Sequence, residues 1–126
     1  MSLPGSLLVV DDNESNRDAL SRRLKLKGYT VSAAASGYEA LELAATGAFD
    51  LVLLDVEMPG LSGLEVLARL RETRSATELP IIMFTARSEG ADVVEAFRLG
   101  ANDYVVRGEH FAGDLTRRVR TLLEAA

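Results

Sequence analysis

Leu51-Val-Leu-Leu-Asp55-Val-Glu-Met-Pro59 is the stretch on which the reading of the chain turns. Four consecutive apolar residues, with no polar alternation, predict a strand buried on both faces, as in a parallel sheet covered by helices. Such a strand delivers Asp55 to the rim of the sheet. Taken alone, a carboxylate after a buried strand is more often a solvated loop residue than a site. The other strands change that balance. Leu7 to Val10 is a short apolar run that ends in Asp11, Asp12 and Asn13. Thr30 to Ala34 is rich in small and β-branched residues, Ile81 to Phe84 is apolar with Thr85 at its end, and Tyr104 to Val106 runs into Arg107.

Helical spacing fills the intervals. Ala19, Leu20, Leu24 and Leu26 recur among Arg17, Arg22, Arg23 and Lys25 until Gly28 supplies a stop. Ser36-Gly-Tyr-Glu39 and Ser62-Gly-Leu-Glu65 have capping-box spacing and predict helix starts, the first helix running to about Thr46. Leu64, Val66, Leu67 and Leu70 form an apolar face on the second of these. Val93, Val94, Ala96, Phe97 and Leu99 predict a fourth helix closed by Gly100. Leu115, Val119, Leu122 and Leu123 predict a last one near Asp114 to Leu123, entered by an irregular segment from Glu109 to Gly113. Five strands alternating with five helices imply right-handed βαβ units: an α/β fold with a five-stranded parallel sheet and helices on both faces. Ligands of such open sheets sit beyond the carboxyl ends of the strands. Asp11, Asp12, Asp55, Thr85 and Arg107 all fall there. Singly they read as caps, a turn hydroxyl and a solvated cation; together they predict a shared site.

The 126 residues suit one domain with one continuous core, so residues 1–126 are expected to be a single unit whose residues 1–6 are a disordered or cloning-derived start. A net charge of -5 argues against direct nucleic-acid binding, which needs a surplus of Lys and Arg. No apolar run is long enough to span a membrane. The absence of cysteine removes disulfides, Cys-ligated zinc and thiol catalysis, and fits a cytoplasmic location. Three carboxylates converging on one point repel each other, and a divalent cation offsets them. Oxygen ligands without His or Cys favour Mg²⁺. With a hydroxyl and a cationic side chain nearby, such a site is equipped for phosphoryl transfer, Asp55 serving as nucleophile.

The stretches Leu7-Leu-Val-Val-Asp-Asp12, Leu54-Asp-Val-Glu-Met-Pro-Gly-Leu-Ser-Gly63, Phe84-Thr-Ala86 and Gly100-Ala-Asn-Asp-Tyr-Val-Val106 resemble the receiver domain of two-component response regulators. The resemblance runs from about Leu7 to Leu123 and implies the flavodoxin-like, doubly wound strand order 2-1-3-4-5. It implies that Asp55 accepts a phosphoryl group from a histidine kinase or a phosphotransfer protein. By the same resemblance, Asp12 and Asp55 ligate Mg²⁺, Asp11 acts on it through water, and the backbone carbonyl of Glu57 completes the protein's share. Thr85 moves toward the phosphoryl oxygens and Tyr104 turns inward as the switch. The altered surface is that of the fourth helix, fifth strand and fifth helix, which meets an output domain, a partner protein or a second copy in a homodimer. Chemistry is confined to self-phosphorylation and self-dephosphorylation.

Arg107-Gly108 departs from the family's Lys-Pro. A planar guanidinium differs from an ammonium in reach and geometry. Without proline the peptide bond here is expected to be trans, since a cis bond costs about 2.5–4 kcal/mol at other residues. By the same resemblance Glu57 and Arg87, two residues beyond Asp55 and Thr85, occupy places that tune how long the phosphoryl group lasts, and they are expected to pair across the site and screen it from water. His110, the single histidine, reads as a solvated loop residue. Two rival readings follow. In a degenerate receiver, a phosphorylation-independent interaction module, Arg107 pairs with Asp55 and fills the pocket. A magnesium-dependent phosphohydrolase with an aspartate nucleophile needs a second carboxylate, for which Glu57 is the candidate, and a substrate cap that no insertion supplies.

Overall fold

Strand and helix alternate along the whole chain, of which the computed structural model describes residues 5–86 and 90–125. The strands are β1 (Ser6–Val10), β2 (Thr30–Ala34), β3 (Leu51–Asp55), β4 (Ile81–Thr85) and β5 (Asp103–Val106). The helices are α1 (Glu14–Leu26), α2 (Gly37–Thr46), α3 (Gly63–Arg71), α4 (Gly90–Arg98) and α5 (Phe111–Glu124). Every pairing is parallel, in the order β2-β1-β3-β4-β5. This is the expected doubly wound sheet.

The pleat decides which helix covers which face. Leu8, Val10, Val52, Leu54, Ile81 and Met83 pack with Ala40 and Ala44 of α2, Val66, Leu67 and Leu70 of α3, and Ala96 of α4. Their neighbours Leu7, Val9, Leu51, Leu53, Ile82 and Phe84 point the other way, against Leu20 and Leu24 of α1 and Leu115 and Val119 of α5. Both faces of the central strands are therefore dry, which is why those strands read as unbroken apolar runs. β1 lies between β2 and β3, so the chain leaves it first toward one edge of the sheet and later toward the other. The loops after β1 and β3 diverge there and open a crevice.

Several boundaries and faces differ from expectation. Ser6 belongs to β1 and its N–H donates to Asp50 Oδ2 at 2.7 Å, so the loose start expected over residues 1–6 does not include it. Helix α5 begins at Phe111, one turn before Asp114, because Phe111 N–H closes a turn on the Gly108 carbonyl at 3.2 Å and Asp114 N–H continues it onto His110 at 2.9 Å. The segment expected to be irregular is thus a tight turn and the first turn of a helix. Leu26 is 82% exposed, and on α4 Val94 and Phe97 are 68% and 47% exposed, so the apolar stripes of these helices are narrower than their composition suggests. The box at Ser62 and Glu65 is complete, whereas at Ser36 the Glu39 carboxylate takes the Ala35 N–H instead.

A half-buried arginine ties α3 to the far end of the sheet. Arg71 donates to the carbonyls of Gly100, Arg74, Ser75 and Leu79, the shortest at 2.8 Å, and to Asn102 Oδ1 at 2.9 Å. Asn102 also accepts from Ile81 N–H and donates to the Ala76 carbonyl. Burial pushes the Arg71 guanidinium below its ordinary pKa. Gly100, with φ at +105°, makes the turn between α4 and β5, and a Cβ on it would lie 3.0 Å from Arg71 Nε.

Candidate functional site

The carboxyl ends of β1, β3, β4 and β5 bring together the residues singled out in the sequence. Asn13, not Asp11 or Asp12, caps α1 by accepting Asn16 N–H at 2.9 Å. The two aspartates are thereby left to the crevice. Asp11 is 1% exposed and is held by its own loop: its Oδ1 accepts Asn13 N–H and its carbonyl accepts from the Arg17 guanidinium, both at 2.9 Å. Asp12 is exposed and Asp55 half-buried, and one carboxylate oxygen from each of Asp11, Asp12 and Asp55 lies within 4.8 Å of the others.

Asp55 is the last residue of β3, and Glu57 N–H donates to its Oδ1 at 3.2 Å. Burial, and then the charge of Asp11, push its carboxyl up to about 7; the Glu57 N–H and Arg107 oppose this and Asp12 adds to it. The three acids thus carry more negative charge than their surroundings offset. Oxygen donors alone in that arrangement fit a hard divalent cation. Held above its unfolded value of 3.8, the Asp55 carboxyl stabilises the fold fully at acid pH, and that stability is lost as pH rises to about 7. Asp55→Asn should therefore make the metal-free protein more stable at pH near 8 by about 1–2 kcal/mol, after allowance for the partial contact of Asp55 with solvent. Denaturant midpoints of both proteins against pH measure this, and parallel profiles would contradict it.

Thr85, the buried last residue of β4, donates from Oγ1 to Glu57 Oε1 at 3.3 Å. Tyr104 is half-buried on β5. Glu57 is exposed, and Arg87, expected to pair with it, lies outside the described residues. His110 is exposed, as expected.

Arg107 follows β5, and its N–H donates to the Thr85 carbonyl at 2.7 Å. Its guanidinium makes a 2.6 Å ion pair with Asp11 Oδ2. Among the described residues no ion pair joins it to Asp55, so the contact expected of a pocket-filling arginine is not the one made. Its central carbon lies 5.0 Å from the Phe84 ring centroid and 4.5 Å from that of Phe111. No peptide bond among the described residues is cis, in keeping with the trans Arg107-Gly108 expected. Phe84 and Phe111 were not legible as part of the site: Phe84 reads as one more residue of an apolar strand, Phe111 falls in the segment expected to be irregular, and only the arginine beside both gives either a second role. Gly63 was also missed. The N–H of this first residue of α3 donates to the Val56 carbonyl, and its α-carbon lies against the backbone of Asp55.

Fold and site together define a doubly wound α/β domain with an all-oxygen acidic centre at its topological switch point. Residues 7–119 match the response regulator receiver domain, and the chain belongs to that family. It is 45% identical over 119 residues to the uncharacterized transcriptional regulatory protein YkoG of Bacillus subtilis, covering 94% of this chain and 51% of that protein. It is 43% identical over 122 residues to the response regulator MprA of a Mycobacterium species, covering 96% and 51%. The chain thus spans about half the length of these curated relatives. Among solved structures, a CheY-like receiver domain from Methanospirillum hungatei superposes with a TM-score of 0.90 at 27% identity, covering 98% of this chain and 96% of that one. The response regulator TrrA of Thermotoga maritima, solved in complex with Mg²⁺-BeF, gives 0.83 at 38% identity, covering 93% and 97%. The chain is a receiver domain of the two-component response regulators.

Proposed function

We propose that Asp55 is the phosphoacceptor of this receiver, taking a phosphoryl group from the phosphohistidine of a histidine kinase or a phosphotransfer protein. The observation that carries this is the convergence of Asp11, Asp12 and Asp55 within 4.8 Å at the end of β3. An Asp55 oxygen attacks phosphorus, the P–N bond breaks, and the imidazole leaves and takes up a proton; the product is an acyl phosphate. Asp12, Asp55 and the Glu57 carbonyl would hold Mg²⁺ directly and Asp11 through water. Bound there, the ion neutralises phosphoryl oxygens during transfer. Support for this choice of ion is the oxygen-only donor set, together with the Mg²⁺-BeF complex of the Thermotoga relative. Thr85 supplies a hydroxyl to the same oxygens, Arg107 a positive charge once drawn from Asp11, and Tyr104 relays the change to the face formed by α4, β5 and α5.

The chain covers half of relatives described as transcriptional regulatory proteins, so we assign its output to a separate segment or partner protein that α4, β5 and α5 contact. No described helix is long and apolar enough to cross a membrane, and a cytoplasmic setting suits a phosphorelay partner.

Incubation with Mg²⁺ and acetyl phosphate tests the assignment. The wild type is expected to gain a phosphoryl mass increment that chelation with EDTA prevents and Asp55→Asn abolishes. An increment retained by Asp55→Asn would move the acceptor elsewhere. Absence of any increment in the wild type, with no Mg²⁺ binding, would leave an interaction module only.

A further inference from the structure

Arg107 is held more tightly than one ion pair requires. Phe84 and Phe111 have ring centroids 5.7 Å apart and are inclined by 56°, forming a notch. The guanidinium lies in that notch, 5.0 Å and 4.5 Å from the two centroids, while its outer nitrogen reaches Asp11 Oδ2 at 2.6 Å. A flat, weakly hydrated cation suits the faces of two aromatic rings; a lysine ammonium fills such a notch poorly. A cleft of about 270 Å³, bordered by Asn16, Leu20, Arg107 and Phe111, adjoins the pair.

We propose that Phe111 is a positioning residue: with Phe84 it grips the Arg107 guanidinium, holding it on Asp11 and off Asp55, so that Arg107 occupies Asp11 in competition with a divalent cation while Asp55 stays open to a donor. This rests on the acidic crevice being the cation and phosphoryl site. Phe111 is also the first residue of α5, so the grip joins the start of that helix to the counter-ion of the crevice. An event that draws Arg107 away from Asp11 must disturb its contact with Phe111.

The test combines magnesium titration with NMR of the arginine Nε–H group, in wild type, Phe111→Leu, Phe111→Tyr, Arg107→Met and the Arg107→Met/Phe111→Leu double variant. In the metal-free wild type the Arg107 Nε–H is expected to show a ring-current shift and slow exchange with water. Phe111→Leu should lose both and Phe111→Tyr keep both. Removing the competing cation in Arg107→Met should lower the Mg²⁺ dissociation constant about tenfold, loosening it in Phe111→Leu about threefold. The double variant should match Arg107→Met, because Phe111 acts through the arginine. A Phe111→Leu effect of equal size in both backgrounds, or an unchanged Arg107 signal in Phe111→Leu, would overturn the proposal. Acetyl phosphate labelling of the wild type reports separately on Asp55, so a failure of that reading is distinguishable from a failure of the grip.

Discussion

Gly63→Ala is expected to slow acetyl phosphate labelling of Asp55 about 100-fold, the usual consequence of misplacing a reacting group by about 1 Å. A Cβ at this position would lie 2.0 Å from the Asp55 carbonyl oxygen and 2.8 Å from both the Asp55 carbonyl carbon and the Val56 α-carbon. These are backbone atoms, unlike a side-chain tip that rotates away. They also belong to the end of a strand whose preceding four residues are fully buried. Relief must come from moving α3 away from the sheet or from pushing the end of β3, and Asp55 with it, out of register with Asp11 and Asp12. Over-packing of this kind costs about 3 kcal/mol where the neighbours are rigid. Gly113→Ala is the matched control: nothing lies within 4 Å of the added carbon, and the position is inside α5. There alanine should stabilise by about 0.5–1 kcal/mol and leave labelling unchanged. Denaturant midpoints and labelling rates of the two variants would have to coincide for the close approach at Gly63 to be unimportant.

Arg71→Met is expected to destabilise the domain by about 3 kcal/mol while leaving the crevice chemistry nearly intact. Methionine retains most of the apolar stem but none of the donors, so the Gly100 and Leu79 carbonyls, bonded at 2.9 and 2.8 Å, lose their partner in a half-buried setting. Asn102 retains its bonds to Ile81 and Ala76 and limits the damage to the loops around it. The loss should appear in the unfolding midpoint with an unchanged denaturant slope, and in faster amide exchange over residues 99–103. A midpoint within about 0.5 kcal/mol of wild type would show that water replaces the guanidinium freely.

The reach of the sequence is clearest at the strands. Leu51 to Leu54 and Ile81 to Phe84 are continuous because both faces of the sheet are covered, and the polar residues that end them mark the one rim where ligands collect. From that alone the fold class and the convergence of Asp11, Asp12 and Asp55 follow. The strand order and the roles of Thr85 and Tyr104 came with the family resemblance. What stayed hidden depends on contacts distant in sequence. Nothing near Arg71 announces that Asn102, 31 positions later, will share its donors. The grip on Arg107 requires Phe84 and Phe111 to meet across β4 and the turn into α5, and the expected late start of α5 had placed Phe111 in an irregular loop. Its spacing of four from Leu115 and eight from Val119 is a helical signal that extends the stripe back by one turn.

The arginine beside the crevice also bears on what can befall a phosphorylated Asp55. An acyl phosphate is an activated acyl group, and an amine close to it is a ready acceptor. Acetyl phosphate presents the same hazard from solution. A lysine at the end of β5 would hold its charge only while its nitrogen stays protonated and unmodified. The guanidinium of Arg107 has no ε-amino group and is not a target of ε-amino acetylation. It meets Asp11 through one edge and both aromatic rings from one side. The substitution therefore exchanges a counter-ion whose charge acetylation can remove for one that ε-amino acetylation does not touch.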